Sequence, residues 1–256
     1  MPVESLGPAV GFHDVTKRFG AGAPAVDGVS LSIEPGSFVA LVGTSGSGKS
    51  TLLKTINRLV ELTTGHVAIN GEDVSRASPP ALRRSIGYVF QNVGLFPHLS
   101  VAENIALPLR LSGQRAGSRV NELLDLVELP LNVLSRLPSE LSGGQRQRVG
   151  VARALAGGPR LMLMDEPFGA LDPVTRASLG EAVQALHQRL RLTTVMVTHD
   201  MTEALLFADR ILVMREGRIV ADETPATLLA GAGGEAAQAL VAVPRRQAQQ
   251  LATLSR

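Results

Sequence analysis

The sequence has no cysteine and no tryptophan, and Tyr88 is the single tyrosine among its 256 residues. Without cysteine there is no disulfide framework and no thiolate metal site. Aromatic residues make up 3%, too few for the stacking platforms of a single-strand nucleic-acid binder. An excess of one charge is also lacking. The 25 Lys and Arg against 23 Asp and Glu leave a formal net charge of +2, which argues against a protein built to coat nucleic acid. No apolar run reaches the ~18 residues needed to span a bilayer. Met1-Pro2-Val3-Glu4 is not a basic segment leading into an apolar one, so no secretory signal is expected. The expectation is a cytoplasmic chain whose membrane role, if any, runs through a partner.

Hydrophobic residues at 45% and charged residues at 19% form an ordinary globular balance and exclude wholesale disorder. Phe38 to Val42 (FVALV) reads as a strand buried on both faces. A glycine-rich turn follows. Lys49 to Glu61 then reads as a helix, with Leu52, Leu53, Ile56, Leu59 and Val60 on one face. The order recurs. Leu161 to Met164 is a second buried strand, and Val174 to Leu190 a helix striped by Leu179, Val183, Leu186 and Leu190. Thr193 to Thr198 is a third strand, and Met201 to Ala208 a short helix. Arg210 to Met214 and Arg218 to Ala221 flank a hairpin turn at Glu216-Gly217. Alternating strands and helices predict a mainly parallel sheet with both faces covered. From about Asn92 to Gly157 the strand signal disappears. Val120, Leu123, Leu124 and Val127, then Val149, Ala152 and Leu155, are spaced as helices, so this stretch reads as a helical insertion. The tail after Gly231 reads as a short peripheral helix or a frayed end.

Gly43-Thr44-Ser45-Gly46-Ser47-Gly48-Lys49-Ser50 fits G-x-x-x-x-G-K-[ST]. Its glycines let successive backbone N–H groups turn into one concavity, and the following helix N-terminus adds to its pull on phosphate. Lys49 is expected on the β- and γ-phosphates of a nucleotide, and the Ser50 hydroxyl on Mg²⁺. The motif follows a strand and opens a helix, as it must. The apolar strand Leu161–Met164 runs into Asp165-Glu166-Pro167. Asp165, at the strand's carboxyl end, is expected in the Mg²⁺ shell. Glu166 is expected to polarise a water for in-line attack.

Two further motifs fix the class. Leu141-Ser142-Gly143-Gly144-Gln145 opens a helix in the insertion, and Thr198-His199-Asp200 ends the third strand. With the phosphate loop and the acid pair, in this order, they resemble the ATP-binding subunit of ABC transporters over roughly residues 10–230. The resemblance implies a P-loop NTPase (RecA-like) α/β core of mainly parallel sheet, about 10–91 and 158–230. It adds an N-terminal antiparallel β part, a helical subdomain at about 92–157 and a tail at 231–256. It implies ATP and Mg²⁺ as ligands. Phe19 stands where an aromatic stacks on adenine, and Val26 and Thr51 are also assigned to the nucleotide. Gln91 is implied to touch Mg²⁺ and the attacking water, and His199 to bond the γ-phosphate. Ser142, Gly143, Gly144 and Gln145 of one subunit are implied to cover the nucleotide held by another, with Asp172 at the same contact. The implied assembly is a head-to-tail homodimer that joins two membrane permease subunits and a substrate-binding protein at the inner face of the membrane, without nucleic acid.

Finer resemblance lies in Thr55–Glu61 (TINRLVE), Gly87–Leu107 and Met164–Leu179. It points to the importers of glycine betaine, carnitine or choline, with an importer of another small solute, such as an amino acid, as the alternative. The chain stops soon after the core, so the paired regulatory modules common in that subfamily are not expected to act here. The surface around Leu95, Phe96 and Leu99 either packs internally or receives a short helix of the permease. The competing classes are a non-transport ABC ATPase and a purely structural nucleotide binder. The first usually carries coiled coils or fused cassettes, which are not seen, and intact Glu166 and His199 argue against the second.

Overall fold

The computed structural model describes residues 6–169 and 171–254. The Met1–Glu4 segment and the last two residues of the tail read above lie outside them. Strands β1 (Val10–Lys17) and β2 (Val26–Ile33) precede β3 (Phe38–Val42), which feeds the phosphate loop and helix α1 (Lys49–Ile56). Strands β4 (Thr64–Ile69) and β5 (Glu72–Asp73) follow, then helix α2 (Pro79–Ser85) and strand β6 (Ile86–Val89). The insertion carries helices α3 (Val101–Leu111), α4 (Arg119–Leu126) and α5 (Gly143–Leu155). Strand β7 (Leu161–Asp165), helix α6 (Pro173–Leu190), strand β8 (Thr193–Val197) and helix α7 (Met201–Phe207) return to the core. The hairpin of β9 (Arg210–Arg215) and β10 (Arg218–Glu223) then leads to helices α8 (Pro225–Leu229) and α9 (Gly234–Leu254).

Two sheets result. The larger has the order β10-β9-β3-β8-β7-β6, and every pair in it is parallel except the β9–β10 hairpin. The smaller, β2-β1-β4-β5, is antiparallel throughout, as expected of the N-terminal part. The continuous apolar runs have a simple cause. In β3, Phe38, Ala40 and Val42 enter one core, and Val39 and Leu41 enter the other. In β7, Met162 and Met164 face the first, and Leu161 and Leu163 the second. A strand sandwiched this way has no polar face to alternate with.

Two expectations fail at element ends. Helix α1 stops at Ile56, five residues before the predicted end. Arg58 takes φ 55°, and the Asn57 side chain accepts the Leu59 N–H at 3.1 Å. A short polar side chain that captures nearby backbone competes with helix continuation. The tail is neither short nor frayed. Helix α9 runs 21 residues, with Pro244 inside it, and Ala237 and Val241 are fully buried in the larger core. Small alanines gave this face little hydrophobic contrast, so its burial was not legible.

Candidate functional site

The carboxyl ends of the parallel strands β3, β7 and β8 lie at one edge of the sheet, where ligands bind in open α/β folds. The phosphate loop leaves β3 there. A Cβ at Gly43 would stand 2.1 Å from the Met214 carbonyl oxygen, and one at Gly48 would stand 2.0 Å from that of Ala25. Only glycine fits at these two points, since both also have positive φ, 150° and 105°. Lys49, the residue after Gly48, is buried, and its Nζ donates to the carbonyls of Gly43 (2.9 Å) and Thr44 (2.8 Å). Burial pulls the Lys49 ammonium below its ordinary range, while the charges of Glu166 and Asp165 oppose that shift. Thr44, Ser45 and Gly46 are exposed and Ser47 is buried, while Gly48, Ser50 and Thr51 are half-buried.

Asp165 ends β7 and is buried. Its Oδ1 accepts from the Ser50 hydroxyl at 2.6 Å, so two of the three expected metal ligands meet; the third, Gln91, bonds Glu166 instead. Its Oδ2 lies 2.9 Å from Lys54 Nζ and 3.4 Å from the Tyr88 hydroxyl. Burial first, and then Asp165, hold the Tyr88 phenol above its usual range. Lys54 was not singled out in the sequence, although it stands one helical turn after Ser50, on the same face of α1. Among the described residues no group of three or more His, Cys, Asp or Glu could hold a metal. A single carboxylate with a hydroxyl nevertheless suits Mg²⁺, which takes one or two protein ligands beside phosphate oxygens and water.

Glu166 follows directly with φ 47°, and its N–H donates to the Val197 carbonyl at 2.9 Å. This left-handed step turns its carboxylate off the strand line, so the adjacent acids face different groups. Glu166 Oε2 accepts from Gln91 Nε2 at 3.1 Å and lies 3.2 Å from His199 Nδ1. Gln91, expected at the attacking water, and His199, expected at the γ-phosphate, therefore both converge on one oxygen of Glu166.

The loop after Gln91 is anchored by groups the sequence reading did not single out. The buried Arg153 guanidinium donates to the carbonyls of Gly94 (2.7 Å) and Val93 (2.5 Å). Burial lowers its pKa. Asn104, also buried, accepts the Phe96 N–H and donates to the carbonyls of Phe96, Leu99 and Ser100. Leu95 packs on the core, while Phe96 stays 43% exposed. Beside this loop a hollow of about 420 Å³ is lined by Leu59, Tyr88, Phe90, Leu107, Pro108 and Leu111, among others.

Ser142 caps α5. Its Oγ accepts the Gln145 N–H at 3.2 Å, and the Gln145 side chain accepts the Ser142 N–H at 3.0 Å. This capping box leaves the N–H groups of the first helical residues, Gly143 and Gly144, without intrahelical partners. Asp172 caps α6 by accepting from Thr175 N at 3.0 Å, and hydrogen bonding to the Thr175 side chain first, then to its backbone, holds the Asp172 carboxyl below the usual range. Among the described residues no hydrogen bond or ion pair joins Ser142–Gln145 to the phosphate loop of the same chain. Phe19 is 59% exposed, with Lys17 Nζ 4.9 Å from its ring centroid. Val26 needs correction as a nucleotide contact. It is fully buried in the core of the smaller sheet, opposite Lys17, and presents no surface to a ligand.

The family model of the ABC transporter matches residues 26–169. The chain is 50% identical over 221 residues to the carnitine transport ATP-binding protein OpuCA of Listeria monocytogenes, across 85% of this chain and 56% of that protein. It is likewise 50% identical over 221 residues to the glycine betaine uptake system ATP-binding protein YehX of Escherichia coli K12, across 85% of this chain and 71% of that one. It thus spans little more than half the length of the first of these relatives. Among solved structures it is similar to the ATP-binding cassette MJ0796, a dimer in a post-hydrolysis state bound to ADP and phosphate. The TM-score is 0.77 at 37% identity, over 84% of this chain and 98% of that one. The α/β P-loop NTPase fold follows from that match.

Proposed function

The chain belongs to the ABC transporter family, and from that premise we propose that it is the ATP-hydrolysing subunit of an importer of quaternary-amine osmoprotectants. The observation that carries the hydrolytic part is the convergence of Gln91 and His199 on Glu166 Oε2, at 3.1 and 3.2 Å, beside the Ser50–Asp165 pair. In this reading residues 10–230 form one ATPase domain, with the helical part at 92–157 inserted into it. The loop Gly43–Ser50 and Thr51 hold the phosphates, and Phe19 holds the adenine. Ser50, Asp165 and Gln91 would hold Mg²⁺, which neutralises charge on the phosphate oxygens when bound. Glu166 takes the proton of the attacking water, Gln91 orients that water, and His199 donates to the γ-phosphate.

Two copies pack head to tail. Ser142–Gln145 and Asp172 of each then complete the site held by the other, which gives the unpartnered N–H groups of Gly143 and Gly144 an anion to bind. A permease helix occupies the apolar hollow beside Phe90 and Leu111 and brings the subunit to the inner face of the membrane. No helix among the described residues is long and apolar enough to cross a membrane, so a peripheral position through permease subunits suits the chain. The substrate part leans on the carnitine and glycine betaine relatives.

The test is ATP turnover by the chain reconstituted with its permease and a binding protein loaded with betaine, choline, carnitine or amino acids. Stimulation by quaternary amines alone is expected. Stimulation by an amino acid would retain the motor and discard the substrate.

A further inference from the structure

His199 has an exposed ring, and its hydrogen bond among the described residues is the one to Glu166. Its neighbours in the chain, by contrast, are tied down. Thr198 is buried. Its hydroxyl donates to Glu203 Oε2 at 2.5 Å and accepts the Asp200 N–H at 3.0 Å. Glu203, on α7, is 5% exposed. Arg176, on α6, reaches this group from the other side. Its Nη1 lies 3.3 Å from Asp200 Oδ2 and its Nε 3.7 Å from Glu203 Oε1. Its Nη2 donates to the Leu171 carbonyl at 3.2 Å.

We propose that Thr198, Glu203 and Arg176 form a positioning set that aims His199 at Glu166 and couples its orientation to the Leu171–Asp172 segment. The proposal rests on the ATPase reading above. A purely stabilising contact between α6 and α7 would be better made of apolar side chains. Burying an acid is costly, and this one has a single short hydrogen bond and a loose ion pair. Burial accordingly pushes the Glu203 carboxyl up, and Arg176 Nε is buried without a hydrogen-bond partner. The arrangement acquires a reason once its geometry is followed outward. One guanidinium bonds the residue before Asp172, which the proposed dimer places against the other subunit, and also the residue after His199. Movement of that boundary is thereby felt at the ring.

The test uses the full chain with Thr198→Val, Glu203→Gln and Thr198→Ser. Thr198→Val keeps the shape and removes the hydroxyl. Expected is a fall in kcat for ATP of about tenfold or more in T198V and E203Q, with KM changed less than about twofold and T198S near wild type. The His199 ring nitrogens, followed by ¹⁵N magnetic resonance, should shift in T198V toward those of a freely rotating imidazole. Wild-type kcat with unmoved ring nitrogens would overturn the proposal. So would a lowered unfolding temperature and a raised KM with unmoved ring nitrogens, the marks of a packing role. A wild-type chain without ATP turnover would instead remove the ATPase reading, and the ring-nitrogen spectra would still decide the positioning.

Discussion

Glu166 occupies the left-handed region at φ 47°, a conformation that costs a residue with a side chain about 1–2 kcal/mol. The strand end absorbs that cost because Glu166 N still pairs with the Val197 carbonyl. Its carboxylate, no longer in line with Asp165, meets Gln91 and His199. Glu166→Gln keeps the shape and one acceptor oxygen but cannot accept the water's proton. ATP turnover should fall by about 10²–10⁴-fold, the range for loss of general base catalysis, while an ATP-bound dimer accumulates on gel filtration. Near-normal turnover in that variant would remove Glu166 from the base role. At this scale the sequence was informative wherever chemistry needs residue types at fixed offsets, as in the phosphate loop and at Asp165-Glu166. It was silent on Arg153 and Asn104, whose partners are backbone groups of the loop after Gln91, an irregular segment with no residue pattern of its own. Val26 came from the family resemblance, which carries over a position but not the side of the strand that faces the core.

Helix ends and helix contacts obey a different balance. Helix α1 was read too long because Leu59 and Val60 continue its apolar stripe. Those residues follow the Asn57 stop, and Leu59 lines the open hollow, so the stripe recorded a surface. Where α5 meets α6, a Cβ on Gly144 would lie 2.3 Å from Thr175 Cγ2. Thr175 is β-branched and stiff, and its N–H is fixed by Asp172. Gly144→Ala should therefore destabilise by about 1–3 kcal/mol through overpacking. Helix propensity alone predicts a gain of about 0.5–1 kcal/mol. The denaturation midpoint distinguishes the two, and adding Thr175→Ala should restore stability by removing the clashing methyl.

His187, near the end of α6, is buried, with Nδ1 3.0 Å from Thr194 Oγ1 and its ring against Phe38. Burial lowers its pKa, against the opposing pull of Asp209 and a Gly36 backbone bond. The unfolded chain then takes up a proton at a higher pH than the folded one, so stability is full above the unfolded value of about 6.5 and falls as pH drops toward the folded value. His187→Asn should flatten the decline in unfolding temperature over that window. An unchanged decline would assign the acid sensitivity to other groups.

At the scale of the whole molecule, two features were not legible from pattern alone. One is α9, which lies along a hollow of about 460 Å³ shared by Gly43–Ser47, Val213–Glu216 and Ala236, Ala239 and Leu240. The tail is thus a wall beside the nucleotide loop. The other is the separation of Gly43–Ser50 from Ser142–Gln145, which no hydrogen bond or ion pair among the described residues joins. In a head-to-tail dimer each site combines the loop of one copy with the Ser142–Gln145 turn, the signature turn, of the other, and this makes a sharp prediction. Lys49→Ala cripples the loop, and Ser142→Arg blocks the signature turn, so each variant alone should be inactive. In a mixed dimer one site carries both lesions and the other carries neither. Equal mixing makes half the dimers mixed, each with one intact site of two, so activity should return to about a quarter of wild type if sites act independently. If each signature turn served its own chain's loop, every site in the mixture would carry a lesion and no activity would return. Steady-state ATP turnover of the mixture, against each variant alone, therefore decides whether the catalytic unit is one chain or two.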